Sequence, residues 1–177
     1  MSKDLFVDKA IELFNEKGIK FTLAELATEL KISKKTIYKL YGNKEDVINL
    51  VIERVFASMQ EQEDIIMEDG KFNLIEKIKR VICLYPDAII DYVHIEDILD
   101  IYPNVYEKIS QEFDRNWDNT FSLITQAIES ELMKSIDYDN LKIILIGLFK
   151  ELLSLEQSKQ IKKMRECVDI VFEGYII

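Results

Sequence analysis

Chain breakers are scarce. The 177 residues include five glycines and two prolines, a poverty of turn residues that favours long helices with short connections. No convincing strand, repeat or low-complexity stretch is visible. Metal and thiol chemistry are equally thin. There are two cysteines, Cys83 and Cys167, and one histidine, His94, with no CxxC, no HxxxH and no Cys/His cluster. Both cysteines sit in apolar helical patterns and read as buried, reduced thiols, so neither a disulfide nor a metal site is expected. No nucleophile has a plausible base, and Gly42 is the sole glycine between Phe21 and Lys44, which leaves no phosphate-cradling loop. An enzyme is therefore not expected, nor a cofactor. The longest apolar run, Ile143 to Phe149, is far too short to span a bilayer. The start, MSKDLFVDKAIELF, has no uninterrupted apolar core of the kind a signal peptide needs. The chain reads as cytoplasmic, without a membrane partner.

Positive charge is also in deficit: the formal net charge is −10, which taken whole argues against non-specific binding to nucleic acid. The average conceals a segregation. Lys31, Lys34, Lys35, Lys39 and Lys44 fall within residues 31–44, which contain no acid, so this stretch carries +5 and the remainder −15. The composition otherwise is that of an ordered soluble chain, 48% hydrophobic and 32% charged, long enough to bury a core in one or two domains.

The basic stretch is framed by helix signals. A first helix runs from Asp4 to Lys17 and stops at Gly18. Thr22-Leu23-Ala24-Glu25 fits a capping box, with Leu23, Leu26, Ala27 and Leu30 as the inner face of a second helix. Lys31-Ile32 make a turn, Ser33 caps a third helix over 34–40, Gly42 breaks it, and Asn43 caps a fourth that runs towards Met67. In the third helix Ile37, Leu40 and Tyr41 should pack inward. Lys34 and Tyr38 form one i, i+4 pair on the opposite side and Lys35 and Lys39 another, with Thr36 beside them. A charge run is ordinarily just a solvated face. Here stability alone would not choose it, because cations in a first turn oppose the helix dipole by about 0.3–1 kcal/mol each. A polyanion at that helix terminus would reverse the sign, and recognition helices point their N-terminal residues into the major groove.

A capped helix, a short turn, Ser33-Lys34-Lys35-Thr36-Ile37-Tyr38, the aromatic Tyr41 and then Asn43-Lys44-Glu45-Asp46 resemble the N-terminal domain of TetR-family transcriptional regulators. The resemblance covers about residues 5–55; the later regions agree only in layout. It implies an all-α protein, with a three-helix helix-turn-helix head at 1–46 and a helical effector-binding and dimerisation domain at 47–177. It further implies a homodimer on a near-palindromic double-stranded DNA operator, usually repressing until a small-molecule effector binds. Thr22, Ser33, Lys34, Lys35, Thr36, Tyr38, Lys39 and Lys44 match positions that typically touch DNA, Tyr38 and Lys44 the most usual phosphate contacts. One position departs: the family often has glycine where this chain has Lys31, and a left-handed lysine there costs about 1–2 kcal/mol.

Beyond Gly70 the chain reads as helices to its end. Leu141, Leu145, Leu148, Leu152 and Leu155 step by four and three, as do Ile161, Met164, Val168, Val171 and Tyr175. Both are helix-packing seams, and the expectation is a four-helix interface between two subunits rather than burial in the subunit's own core. Gly147, inside the first of these helices, would suit a close helix approach. Tyr85, Tyr92, Trp117, Phe121 and Phe149 are candidates to line an effector pocket, although aromatic stripes at helical spacing are more often core. The competing reading of the whole chain is an all-helical protein–protein interaction module that does not bind DNA specifically, which the acidity outside the lysine stretch keeps open.

Overall fold

The computed structural model describes residues 2–84, 98–152, 155 and 157–177. Their regular elements are helices: α1 (Lys3–Lys17), α2 (Leu23–Glu29), α3 (Lys34–Tyr41), α4 (Lys44–Glu68), α5 (Leu74–Ile82), α6 (Pro103–Glu129), α7 (Tyr138–Leu152) and α8 (Gln157–Glu173), with a 3-10 turn at Gly18–Lys20. The sole β feature among the described residues is an isolated antiparallel bridge, Met133 to Ile176. The all-α expectation holds. Tyr85, Tyr92 and His94 lie outside the described residues.

The helices start where local chemistry says they should. Thr22 and Glu25 form the reciprocal capping box, as do Asn73 and Glu76 at α5. Ser2 and Ser33 accept from the amides of Leu5 and Thr36. Asn43 and Asp46 exchange bonds at the start of α4, Asp46 N to Asn43 Oδ1 at 3.1 Å and Asn43 N to Asp46 Oδ2 at 2.8 Å. That exchange requires the glycine before it, because a Cβ on Gly42 (φ +80°) would lie 2.2 Å from Asp46 Oδ2. At the other end, α2 closes with Ile32 N donating to Ala27 O and Lys31 N to Thr28 O, the paired bonds of a Schellman motif. α6 closes the same way at Ile128 and Ala127, through Glu131 and Leu132. The left-handed positions are Lys31 (φ 54°) and Glu131 (φ 57°), so the lysine does carry the strained conformation that glycine adopts freely.

The chain divides into two compact units, Met1–Met59 with Pro86–Gln111, and Gln60–Tyr85 with Glu112–Ile177. The expected head, 1–46, lies wholly in the first. Its core is built from Phe6, Phe14, Phe21, Leu26, Ile37, Ile48 and Ile52, each fully buried. The ring of Tyr41 stacks on Phe6 at 3.6 Å, which fixes the end of α3 to α1. Leu40, expected inward, is instead 58% exposed: in a helix of two turns against a narrow core, Ile37 and Tyr41 already fill the inner stripe.

The second unit has its own core of Ile78, Ile82, Ile124, Ala127, Met133, Leu141, Leu145, Leu152, Met164, Val168 and Phe172. This reassigns the expected dimer seams. Leu141, Leu145, Leu152, Met164 and Val168 are buried inside the protomer, and Leu148, Val171 and Tyr175 pack against that core. The seam spacing was real, but its partner is the chain's own bundle. Leu155 is exposed, and so are Ile143, Ile144, Ile161 and Ile170. Gly147 shares the outer face of α7 with Ile143 and Ile144, and a Cβ there would meet nothing within 4 Å among the described residues.

Candidate nucleic-acid interface

Residues 31–44 fold so that four of their five lysines face water. Lys31, Lys34, Lys35 and Lys39 are all exposed, and none takes part in an ion pair among the described residues. Elsewhere lysines find acids: Lys17 reaches Glu25 at 2.9 Å, Lys79 reaches Asp169 at 2.7 Å and Lys142 reaches Asp114 at 3.1 Å. The free set clusters on α3, whose opposite side is anchored by Ile37, 0% exposed. Tyr38 is half exposed, with the Lys34 ammonium 5.7 Å from its ring centroid. Ser33 and Thr36 share a hydroxyl contact of 2.8 Å at the helix start. The result is a convex, cationic and hydroxyl-bearing helix face with uncompensated charge, the arrangement that phosphate and base edges would complete.

Thr22 is exposed at the start of α2, with its hydroxyl and amide both bonded to the Glu25 carboxylate at 2.9 and 2.8 Å. Lys17, followed by the amide and hydroxyl of Thr22, holds the Glu25 carboxyl down to about 2, well below its usual 4.5. The structure places Lys44 differently from its neighbours. Its ammonium is turned inward, donating to the Ile19 carbonyl and lying 5.1 Å from the Phe21 ring centroid. Loss of water there lowers its pKa from 10.5.

Of the expected pocket residues, Trp117 and Phe121 form a continuous stack with Tyr138, with centroid separations of 5.6 and 4.6 Å. Lys142 covers the Trp117 face at 5.8 Å, and the Tyr138 hydroxyl meets Thr125 Oγ1 at 2.6 Å. Phe149 packs against the core of the second unit. A separate cleft of about 180 Å³ is bordered by Glu76, Lys79, Arg80, Cys83, Arg165, Val168 and Asp169, none of them in the expected aromatic set. Burial pushes the Cys83 thiol up to about 11, the state of an inert rather than a reactive thiol.

Sequence reasoning passed over Glu63. It continues the inward α4 stripe of Ile52, Phe56 and Met59 at spacings of four and three, so an acid interrupts an apolar seam, and that signal was readable. Burial, and then Asp64 beside it, raise its carboxyl above 4.5 against the opposing effects of Arg115 and a hydrogen bond from Asn119.

Comparison with known proteins matches this geometry. Residues 6–51 fit the model of the tetR family of bacterial regulatory proteins. An uncharacterized HTH-type transcriptional regulator of Bacillus subtilis (strain 168), YvaF, is 22% identical over 173 residues, 94% of this chain and 91% of the relative. Over residues 6–51 the chain is similar to the tetR family. Solved structures of the same fold extend over nearly its whole length. A transcriptional regulator from Saccharomonospora viridis, in complex with choline, has a TM-score of 0.81 at 15% identity, covering 97% of this chain and 96% of the other. The TetR-family regulator PfmR from Thermus thermophilus has a TM-score of 0.73 at 17% identity, with 97% and 96% covered. AibR, solved with isovaleryl coenzyme A and operator DNA, has a TM-score of 0.74 at 13% identity, with 96% and 97% covered. Among the described residues, no helix is long and apolar enough to cross a membrane, and no group of three His, Cys, Asp or Glu is placed to hold a metal.

Proposed function

We propose that this DNA-binding regulator is a member of the TetR family and acts as a homodimeric repressor released from a near-palindromic operator by a small effector. The observation that carries the DNA reading is the unpaired charge of Lys34, Lys35 and Lys39 on the outward face of α3. These three lysines, with Ser33, Thr36 and Tyr38, read the major groove and its flanking phosphates, and Thr22 contacts the backbone from the start of α2.

The apolar outer face of α7, Ile143, Ile144 and Gly147, together with the exposed Ile161 and Ile170 of α8, forms the subunit interface. It is apolar, it is uncovered within the protomer, and its glycine admits a close helix crossing. Two heads held this way meet successive major grooves about 34–36 Å apart. The effector is read within 47–177, beside the partly exposed Trp117–Phe121 stack; the small molecules bound in the Saccharomonospora and AibR structures support an effector role without naming the ligand here. The test is fluorescence anisotropy on double-stranded fragments recovered by the protein from a randomised pool. Retention of parent affinity by the Lys34, Lys35 and Lys39 triple alanine variant would remove the DNA reading.

A further inference from the structure

Lys44 opens α4, and its ammonium contacts lie in the connection between α1 and α2 rather than on the outer face of α3. Ile19, whose carbonyl accepts from it, and Phe21, whose ring lies beneath it, are both buried. Among the described residues no carboxylate stands within ion-pair distance; Glu25 acts on it through the longer-range field. A cation drawn partly out of water without a counter-ion is unfavourable on its own; here the carbonyl bond and the ring contact offset that loss and join two segments of the chain. What they hold follows from the chain path. Phe21 directly precedes Thr22, the cap of α2, and only Gly42 and Asn43 separate Lys44 from the end of α3. The Lys44 contacts therefore tie the entry of the helix-turn-helix to its exit. On the same entry, Glu25 is bound by Lys17 and Thr22, which stiffens the point to which Lys44 attaches.

We propose that Lys44 is a positioning residue, a latch between the first turn of α4 and the α1–α2 connection that sets the pose of the α3 surface, and is not a phosphate ligand. This rests on the DNA reading above for its consequence, though not for its geometry. A latch at this point also makes any displacement of the start of α4 a displacement of both ends of the helix-turn-helix together.

The test compares the full-length parent with Lys44→Met, which keeps the aliphatic stem and removes the donor, and with Lys44→Arg. Three quantities are read: the slope of log K against log salt on a double-stranded fragment selected by the parent from a randomised pool, the Tm, and the carbonyl 13C resonance of Ile19. The latch predicts that Lys44→Met weakens binding by about tenfold or more at every salt concentration, with the slope unchanged, a lowered Tm and a moved Ile19 resonance. Lys44→Arg should not restore binding, because a planar guanidinium cannot reproduce a compact ammonium on one carbonyl, whereas a phosphate ligand would accept it. The proposal is overturned if the slope falls by about 0.9 for each protomer's lost phosphate contact while Tm and Ile19 stay put. It is equally overturned if Lys44→Arg binds as the parent does, or if no quantity moves. Should Lys44→Met not fold, Lys44→Arg carries the same three readings. Failure of the parent to select any DNA would sink the functional reading alone, because Tm and the Ile19 resonance still decide the latch.

Discussion

Replacing Lys34, Lys35 and Lys39 with alanine should abolish operator binding and make the free protein slightly more stable. Lys34 and Lys35 occupy the first turn of α3 and face no acid. Each opposes the helix dipole by about 0.3–1 kcal/mol. Lys35 and Lys39 are like charges at i, i+4, worth about 0.2–0.5 kcal/mol of repulsion. Against these stands the Lys34 ammonium 5.7 Å from the Tyr38 ring centroid, a contact worth about 0.5–1 kcal/mol at an exposed site. Lys39, in the last turn, instead suits the dipole by about 0.3–1 kcal/mol, so the balance is a gain of no more than about 0.5 kcal/mol at low salt. For a chain of this length that is a rise in Tm of roughly 1–2 °C at most.

The DNA side of the same substitution is much larger. Each lysine that neutralises a phosphate contributes about 0.9 to the salt slope. Three lysines in each of two protomers would therefore lower the slope by about 5, with most of the affinity lost near physiological salt. Anisotropy titrations at four or five salt concentrations, beside calorimetric melting in the same buffers, measure both quantities on one preparation. Binding that survives with an unchanged slope would refute the interface. Lost binding accompanied by a Tm several degrees lower would refute the reasoning differently, by showing that these lysines hold the scaffold.

The other expectations concern scaffold, interface and pH. Lys31→Gly relieves the left-handed strain at φ 54° and should stabilise by about 0.5–1 kcal/mol, the relief of 1–2 kcal/mol less the entropy of an added glycine; chemical denaturation of parent and variant measures it. Ile143→Glu should yield monomers by sedimentation with the protomer still folded, whereas Leu145→Ala, 0% exposed in the bundle core, should lose about 2–5 kcal/mol of stability. Glu25, held at about 2 against 4.5 by Lys17 and Thr22, contributes stability that is present above pH 4.5 and lost as pH falls through about 2. Glu25→Gln should flatten that part of an acid-unfolding curve followed by circular dichroism.

What could be read from the sequence, and what could not, separates by range. Caps were legible because they are local: Thr22 with Glu25, Ser33 with Thr36 and Asn43 with Asp46 all close within three residues. Amphipathic stripes were legible too, but a stripe does not name what covers it. The leucines of α7 and the apolar row of α8 keep their spacing and face the chain's own core, while the uncovered residues, Ile143, Ile144 and Gly147, lie off the leucine seam. Leu40 was misjudged for a related reason: periodicity cannot tell how wide a short helix's buried face is. Lys44 lies beyond such reasoning altogether. Its partner is 25 residues away, and nothing in a lysine at a helix start distinguishes an inward carbonyl from an outward phosphate.

The costs in the head point in one direction. Lys31 takes a left-handed position that glycine would occupy without strain, Lys34 and Lys35 sit at the wrong end of a dipole, and Lys39 repels Lys35. A chain with 33 acidic residues has carboxylates to spare, and in the second unit it uses them to pair Lys79 and Lys142. Among the described residues it places none against these four. A merely solvated face would tolerate acids among its lysines and would gain a little stability from them. The consistent omission of acids on one small helix, at a stability loss each time, is what a surface shaped by an external polyanion looks like, and the lysine on that run that faces inward is the one whose position fixes where the other four point.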